Sequence, residues 1–178
     1  MDIGCQDWMT KIKKKYPESL GNLGKVLEIG SLNINGTARD YFKADEWVGI
    51  DMIAGKDVDL VVNAHDIHIY WQFQVFDTIV CMNTLEHDNK FWLTLEQINK
   101  VLKKGGLLIY AQPTINFPIH DHPGDYWRLT KQALQEVIFE GFEVLDIEEV
   151  YSKKIDDPTH RKGWRGINPI LCGLGKKL

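Results

Sequence analysis

Five polar segments, each following an apolar run, hold the residues whose types and spacing suit chemistry. The first run, Val26-Leu27-Glu28-Ile29-Gly30, continues into Ser31-Leu32-Asn33-Ile34-Asn35-Gly36. Glycines at such a turn let the backbone approach a ligand with no Cβ in the way. A dinucleotide fingerprint would need glycine at positions 32 and 35, and these are Leu32 and Asn35, so pyrophosphate binding is disfavoured. The next run ends at Asp51, and a carboxylate there suits the two hydroxyls of a ribose, because a charged acceptor makes strong hydrogen bonds. After the third run, Asn63-Ala64-His65-Asp66 offers a carboxylate that either accepts the amino group of an adenine or caps the helix that follows. The fourth run ends in Cys81-Met82-Asn83-Thr84-Leu85-Glu86-His87, which puts polar groups where a ligand of an open α/β sheet must lie.

The fifth segment, Phe117-Pro118-Ile119-His120-Asp121-His122-Pro123-Gly124-Asp125, concentrates two histidines and two aspartates. Histidine is a natural proton acceptor, because its pKa lies near the working pH. His120, His122 and Asp125 are therefore the candidate catalytic groups. The same three could ligate a metal, but a hydrogen-bonded polar loop is the favoured reading, and no metal site is expected.

Positioning these groups requires strands alternating with helices. Apolar runs that read as strands cover 25–30, 47–51, 58–62, 76–82, 106–111, 142–150 and 169–174. Several are rich in Val and Ile with little polar alternation, as in strands covered on both faces. The clearest helix spans 89–103, with Asp88 as N-cap, Phe91, Trp92, Leu95, Ile98 and Leu102 at helical spacing, and Gly105 as left-handed exit. A helix over 6–15 presents Trp8, Met9 and Ile12 to one side of the sheet, the first loop leads into another, and a further helix runs from Thr130 to Gly141. The last two runs have no crossover helix between them and so pair antiparallel. The expected fold is α/β, a doubly wound, mostly parallel sheet closed by an antiparallel C-terminal hairpin.

The chain has 178 residues, enough for one domain over 1–178, with 44% hydrophobic and 26% charged residues, the mix of a soluble globular protein. The first twenty residues have no apolar h-region, and no run approaches a membrane span, so neither a secretory signal nor a membrane partner is expected. Three scattered cysteines, Cys5, Cys81 and Cys172, form no paired motif, which fits a reducing, cytoplasmic setting. The net charge of −4 carries no nucleic-acid footprint. Seven of the 21 basic residues fall in 152–178, against two of the 25 acidic ones. That basic segment reads as a solvated surface or as an attraction for an anionic substrate group.

The series of motifs resembles the class I S-adenosylmethionine-dependent methyltransferases, in the small group labelled type 11. The resemblance rests on Glu28-Ile29-Gly30, Asp51, Ala64-His65-Asp66 and Leu85-Glu86-His87 in that order. Ile34-Asn35-Gly36-Thr37-Ala38-Arg39 and Pro123-Gly124-Asp125-Tyr126-Trp127-Arg128 resemble a subgroup's first loop and its segment after strand five. It implies S-adenosylmethionine as cofactor, with Gly30 and its neighbours on the methionine portion, Asp51 on the ribose and Asp66 on the adenine amino group. Glu28, Ser31, Asn35, Gly36, Met52, His65, Asn83, Thr84 and His87 complete the implied cofactor set. Asn83 is not followed by the Pro-Pro-aromatic motif of DNA amino-methylating enzymes, and no cysteine follows a proline as in cytosine-C5 enzymes. A small-molecule or glycan-type acceptor is therefore expected. The alternative is a non-catalytic module that binds S-adenosylmethionine or S-adenosylhomocysteine.

Overall fold

A computed structural model of the chain describes residues 3–120, 124–152 and 168–178. In chain order the elements are α1 (Ile3–Lys15), α2 (Pro17–Leu20), β1 (Lys25–Ile29), β2 (Glu46–Asp51), β3 (Leu60–Val61), α3 (Ile67–Tyr70), β4 (Phe76–Met82), α4 (Phe91–Val101), β5 (Leu102–Pro113), α5 (Lys131–Ala133), β6 (Phe142–Ser152) and β7 (Asn168–Lys177). The seven strands form one sheet in the order β3-β2-β1-β4-β5-β7-β6. β1 to β5 run parallel, while β7 pairs antiparallel with both β5 and β6. This is the expected doubly wound sheet with its antiparallel closure.

Alternation along the strands divides the core between two faces. Leu27, Ile29, Ile79, Leu108 and Tyr110 face α4, which contributes Leu95, Ile98 and Val101. Val26, Val80, Leu107 and Ile109 face α1, which contributes Trp8, Met9 and Ile12. α1 is tied to β6 as well: the Trp8 indole donates to Asp146 at 3.1 Å, and Lys15 pairs with the same carboxylate at 2.6 Å.

Four expectations change. The helix expected over 89–103 occupies Phe91–Val101, because Leu102 and Lys103 already belong to β5 and Gly105 makes its left-handed turn (φ 76°) inside the β5 segment. Asp88 holds that helix from two residues upstream, accepting the Lys90 N–H at 2.8 Å. The segment after Thr130 makes one α-turn and then widens to a π-helical turn over Leu134–Ile138, which buries Leu134 and Ile138 and leads to the buried Phe139 beside Gly173 and Gly175 of β7. The first loop leads into a single 3₁₀ turn, Ala38–Asp40, capped by Thr37, whose hydroxyl accepts the Arg39 N–H at 3.2 Å. Before α3, Asn63 rather than Asp66 supplies the side-chain cap: its carbonyl accepts the His65 N–H at 2.9 Å, and Asp66 is exposed.

Candidate functional site

Parallel pairing brings the carboxyl ends of β1, β2, β3, β4 and β5 to one edge of the sheet. β1 lies between β2 and β4 there, at the switch point where an open α/β sheet binds its ligand. Gly30 leaves β1 in the left-handed region (φ 74°), and a Cβ built on it would overlap the Thr84 hydroxyl and stand 2.7 Å from the Thr84 methyl. The turn is pinned to β2, since the N–H groups of Gly30 and Ser31 both donate to the Ile50 carbonyl at 2.9 and 3.0 Å. Thr84 is pinned to β1, donating to the Ile29 carbonyl at 3.1 Å.

The Asp51 carboxylate accepts the Leu32 N–H at 3.2 Å and the Ile53 N–H at 3.0 Å, so it bridges the loops after β1 and β2. Met52 and Ile53 beside it are large apolar side chains left exposed. Glu28 is turned inward from the loop. Arg39 Nε donates to its Oε2 at 3.1 Å and the Thr37 hydroxyl to its Oε1 at 3.3 Å. Burial raises the Glu28 pKa against the pull of those two partners. His65 places Nε2 3.0 Å from both oxygens of Asp88, and Asn35 and Gly36 are exposed on the first loop.

Buried polar atoms without a hydrogen-bond partner gather at this edge. Among the described residues they are Ser31 Oγ, Asn83 Oδ1, both carboxylate oxygens of Glu86, and Asn168 Oδ1. Ser31 and Asn83 follow β1 and β4, and Asn83 holds a left-handed backbone (φ 51°), a conformation rare outside glycine. Buried polar atoms are normally paired, so such a concentration sets this edge apart from the rest of the described surface.

The loop after β5 closes over the exit of β4. Tyr126 N–H donates to the Glu86 carbonyl and the Trp127 indole to the Asp88 carbonyl, both at 2.8 Å, while His87 Nδ1 bonds the Gly124 carbonyl. Arg128 grips both oxygens of Asp125, which also accepts the His120 N–H at 2.7 Å. Burial works to raise the Asp125 pKa, but the Arg128 guanidinium holds it below its ordinary value. The His120 ring packs edge-on against His87, with centroids 4.9 Å apart, and burial lowers its pKa, favouring the neutral imidazole. Glu86 is fully buried beneath both rings, and burial pushes its pKa up to about 8. His122 lies outside the described residues, as do Asp121 and most of the basic segment 152–178.

Residues 35–110, which run from the first loop through β5, match the family described as a methyltransferase domain. The match covers less than half of the chain, and its description agrees with the resemblance to the type 11 group of class I S-adenosylmethionine-dependent methyltransferases. A curated relative of this chain is the hybrid PKS-NRPs synthetase opdA of Penicillium oxalicum, 28% identical over 140 residues, 64% of this chain. The chain spans only 3% of that synthetase's length. The fold is shared with solved structures at low identity. The 1,6-didemethyltoxoflavin-N1-methyltransferase of Burkholderia thailandensis, solved with 1,6-didemethyltoxoflavin and S-adenosylhomocysteine, is 15% identical, with 95% of this chain and 77% of that one covered at a TM-score of 0.68. The N-methyltransferase NodS of Bradyrhizobium japonicum WM9 is 12% identical, covering 97% and 95% at 0.65. A SAM dependent methyltransferase from Archaeoglobus fulgidus is 14% identical, covering 96% and 94% at 0.62.

The fold brings Gly30, Ser31, Asp51, Met52, Asn83 and Thr84 to the switch point, while His87, His120 and Asp125 gather around Glu86. His65 turns to Asp88, and Asp66 stands exposed at the start of α3. Glu86 itself was absent from the residues singled out by sequence as site residues. The signal available for it was a carboxylate beside a histidine directly after a buried strand.

Proposed function

We propose that the chain transfers a methyl group from S-adenosylmethionine to a small-molecule or glycan-type acceptor. The observation that carries the reading is the edge at the β1/β4 switch point, where a left-handed glycine turn, an amide-oriented carboxylate and unpartnered buried polar atoms converge. When bound, S-adenosylmethionine supplies a methyl group on an already charged sulfonium, so the protein's main task is to hold donor and acceptor in line.

In this reading Gly30, Ser31, Asn35 and Gly36 receive the methionine portion, where the Gly30 turn leaves backbone open to close approach. Asp51, whose carboxylate is oriented by two backbone amides, accepts the ribose hydroxyls, and Met52 offers an apolar face to the base. Asp66 and His65 lie on the adenine side, while Asn83, Thr84 and His87 line the floor between donor and acceptor. Glu28 acts one layer down by anchoring the first loop through Arg39. The loop carrying His120, His122 and Asp125 forms the acceptor side. His120, kept neutral by burial, receives the proton if the acceptor must lose one, and Asp125 positions it.

Calorimetry with S-adenosylhomocysteine and with NAD, followed by transfer assays from methyl-labelled S-adenosylmethionine to a panel of small amines, phenols and sugars, tests the reading. Binding of the adenosyl ligand alone and labelling of at least one acceptor are expected. Failure to bind S-adenosylhomocysteine would sink it. Binding with no transfer to any acceptor would instead favour the non-catalytic module.

A further inference from the structure

We propose that Glu86, His87 and His120 form a binding site for a divalent first-row transition cation, of the kind that prefers imidazole nitrogen, on the acceptor side of the cleft. Each residue offers one donor atom, and the three donors lie within 4.8 Å of one another. His87 Nε2 is 3.8 Å and His120 Nε2 3.9 Å from the same oxygen, Glu86 Oε1. A tetrahedral ion with bonds of about 2.0–2.1 Å separates its ligands by roughly 3.4 Å, so each histidine–carboxylate distance must close by about half an ångström. The two imidazoles, whose donor atoms lie within 4.8 Å of each other, must also draw together.

Three features separate this cluster from an accidental meeting of polar groups. The first is Glu86, whose side chain has no exposure and whose two oxygens have no hydrogen-bond partner among the described residues. A carboxylate placed there without a partner carries a large desolvation cost, which an ion coordinated to it removes. The second is the way the histidines are turned. The Gly124 carbonyl can only accept, so its bond to His87 Nδ1 makes that nitrogen the donor and leaves the Nε2 lone pair directed at Glu86. His120 Nδ1 lies 3.2 Å from Asp125 Oδ2 and 3.4 Å from Arg128 Nη2, between a carboxylate and a guanidinium, while its Nε2 faces the same Glu86 oxygen. Metal-bound histidines characteristically give their other ring nitrogen to a carbonyl or a carboxylate, as His87 does to Gly124. The third is the fixed backbone. Tyr126 and Trp127 tie the loop to Glu86 and Asp88, and Arg128 holds it through Asp125 and the carbonyls of Phe117 and Pro118.

The donor set selects the ion. Two imidazoles and one carboxylate suit zinc, cobalt, iron or nickel, whereas calcium and magnesium prefer cages of oxygen. Three protein ligands also leave a coordination position open, as in catalytic rather than structural sites. That position lies beside the loop assigned to the acceptor. This last point rests on the methyltransferase reading: an ion there would bind an acceptor hydroxyl or amine and make its proton easier to lose, and His120 would then serve as a ligand. The site itself does not depend on that reading.

The test uses the full chain, treated with a chelator, dialysed, and titrated with cobalt(II) in the absence of any adenosyl ligand. Visible ligand-field absorption and calorimetry should both report one ion per chain, with zinc(II) displacing it. Glu86→Gln, which keeps the shape and removes the charge, should weaken binding by roughly a hundredfold or more, beyond the ~10–100-fold expected for loss of an outer-shell partner. His120→Asn should do the same. If either variant fails to fold, imidazole nitrogen NMR of the wild-type chain during zinc titration decides, and the Nε2 signals of two of the six histidines should shift together at one equivalent. No binding would overturn the proposal, as would wild-type affinity in both variants or shifts confined to other histidines. S-adenosylhomocysteine affinity is measured on the same samples. A chain that takes cobalt but no adenosyl ligand keeps the metal site and loses the methyltransferase reading, and the converse result separates them the other way.

Discussion

Arg39, in the 3₁₀ turn of the first loop, reaches into β1 and donates from Nε to Glu28 Oε2 at 3.1 Å, while its other guanidinium nitrogen holds the Asp57 carbonyl at 2.9 Å and Asp59 at 3.1 Å. One side chain thus fastens the first loop to the strand before it and to the segment leading into β3. Arg39→Met should destabilise the fold by roughly 2–4 kcal/mol, somewhat less than loss of a partner from a fully buried pair because Arg39 is partly solvated. Burial already raises the Glu28 pKa, so its contribution to stability is present at low pH and is lost as pH rises through the folded pKa. Without Arg39 that pKa rises further. Urea unfolding should therefore show a small deficit at about pH 4 and a larger one at about pH 8. Glu28→Gln in the Arg39→Met background should recover most of the loss. An equal deficit at both pH values would remove Glu28 from the account.

Gly30→Ala should cost stability as well as binding. A left-handed backbone with a side chain costs ~1–2 kcal/mol, and the added carbon would overlap Thr84. A fall in Tm of several degrees is expected, since ~1 kcal/mol shifts Tm by about 2–4 °C in a chain of this size. Calorimetry should show S-adenosylhomocysteine binding lost or severely weakened. A normal Tm with normal binding would mean that the turn after β1 is not built as described.

Asp51→Ala should weaken S-adenosylhomocysteine by roughly tenfold or more, because a hydrogen bond to a charged group is worth ~1.5–3 kcal/mol. The carboxylate also holds the Leu32 and Ile53 amides, so some of the loss will come from a looser loop. Comparing adenosine with 2′-deoxyadenosine separates the two effects. The wild-type chain should discriminate between them and the variant should not. Equal discrimination in both would place the ribose elsewhere.

Replacing His120 and His122 together by alanine should leave S-adenosylhomocysteine affinity within about twofold, under ~0.5 kcal/mol. Transfer to an acceptor identified from the panel should fall by ~10²–10⁴ if either histidine handles the proton. A collapse of cofactor affinity would move the loop into the donor pocket. Unchanged turnover would leave catalysis to positioning alone.

The parallel strands were legible because Val and Ile runs covered on both faces carry their own signature, and β4 begins and ends where the pattern predicts. The start of β5 was not, because Lys103-Lys104-Gly105 has the composition of a helix end. The π-turn was not, because hydrogen bonds five residues apart use the same apolar positions as those four apart. Asp51 and Gly30 could be placed at the ligand edge from strand endings alone. Glu86 was legible only as part of Leu85-Glu86-His87, since its full burial with no partner among the described residues is decided by tertiary packing. Cys5 and Cys172, 167 positions apart in sequence, meet in the core with sulfurs 3.8 Å apart, and no local pattern foretells it.

The insertion of β7 between β5 and β6 sets the order in which the molecule can be completed. Among the described residues β6 pairs in the sheet with β7 alone, and α1 docks on β6 through Trp8, Lys11 and Lys15, with Tyr16 just after it. The surface that receives α1 is therefore complete only once β7 has paired with β5 and β6 with β7, a set of contacts far apart in sequence. The apolar stripe of Trp8, Met9 and Ile12 has Val26, Val80, Leu107 and Ile109 to settle on before that, but its polar tethers to Asp146 wait for the antiparallel pair.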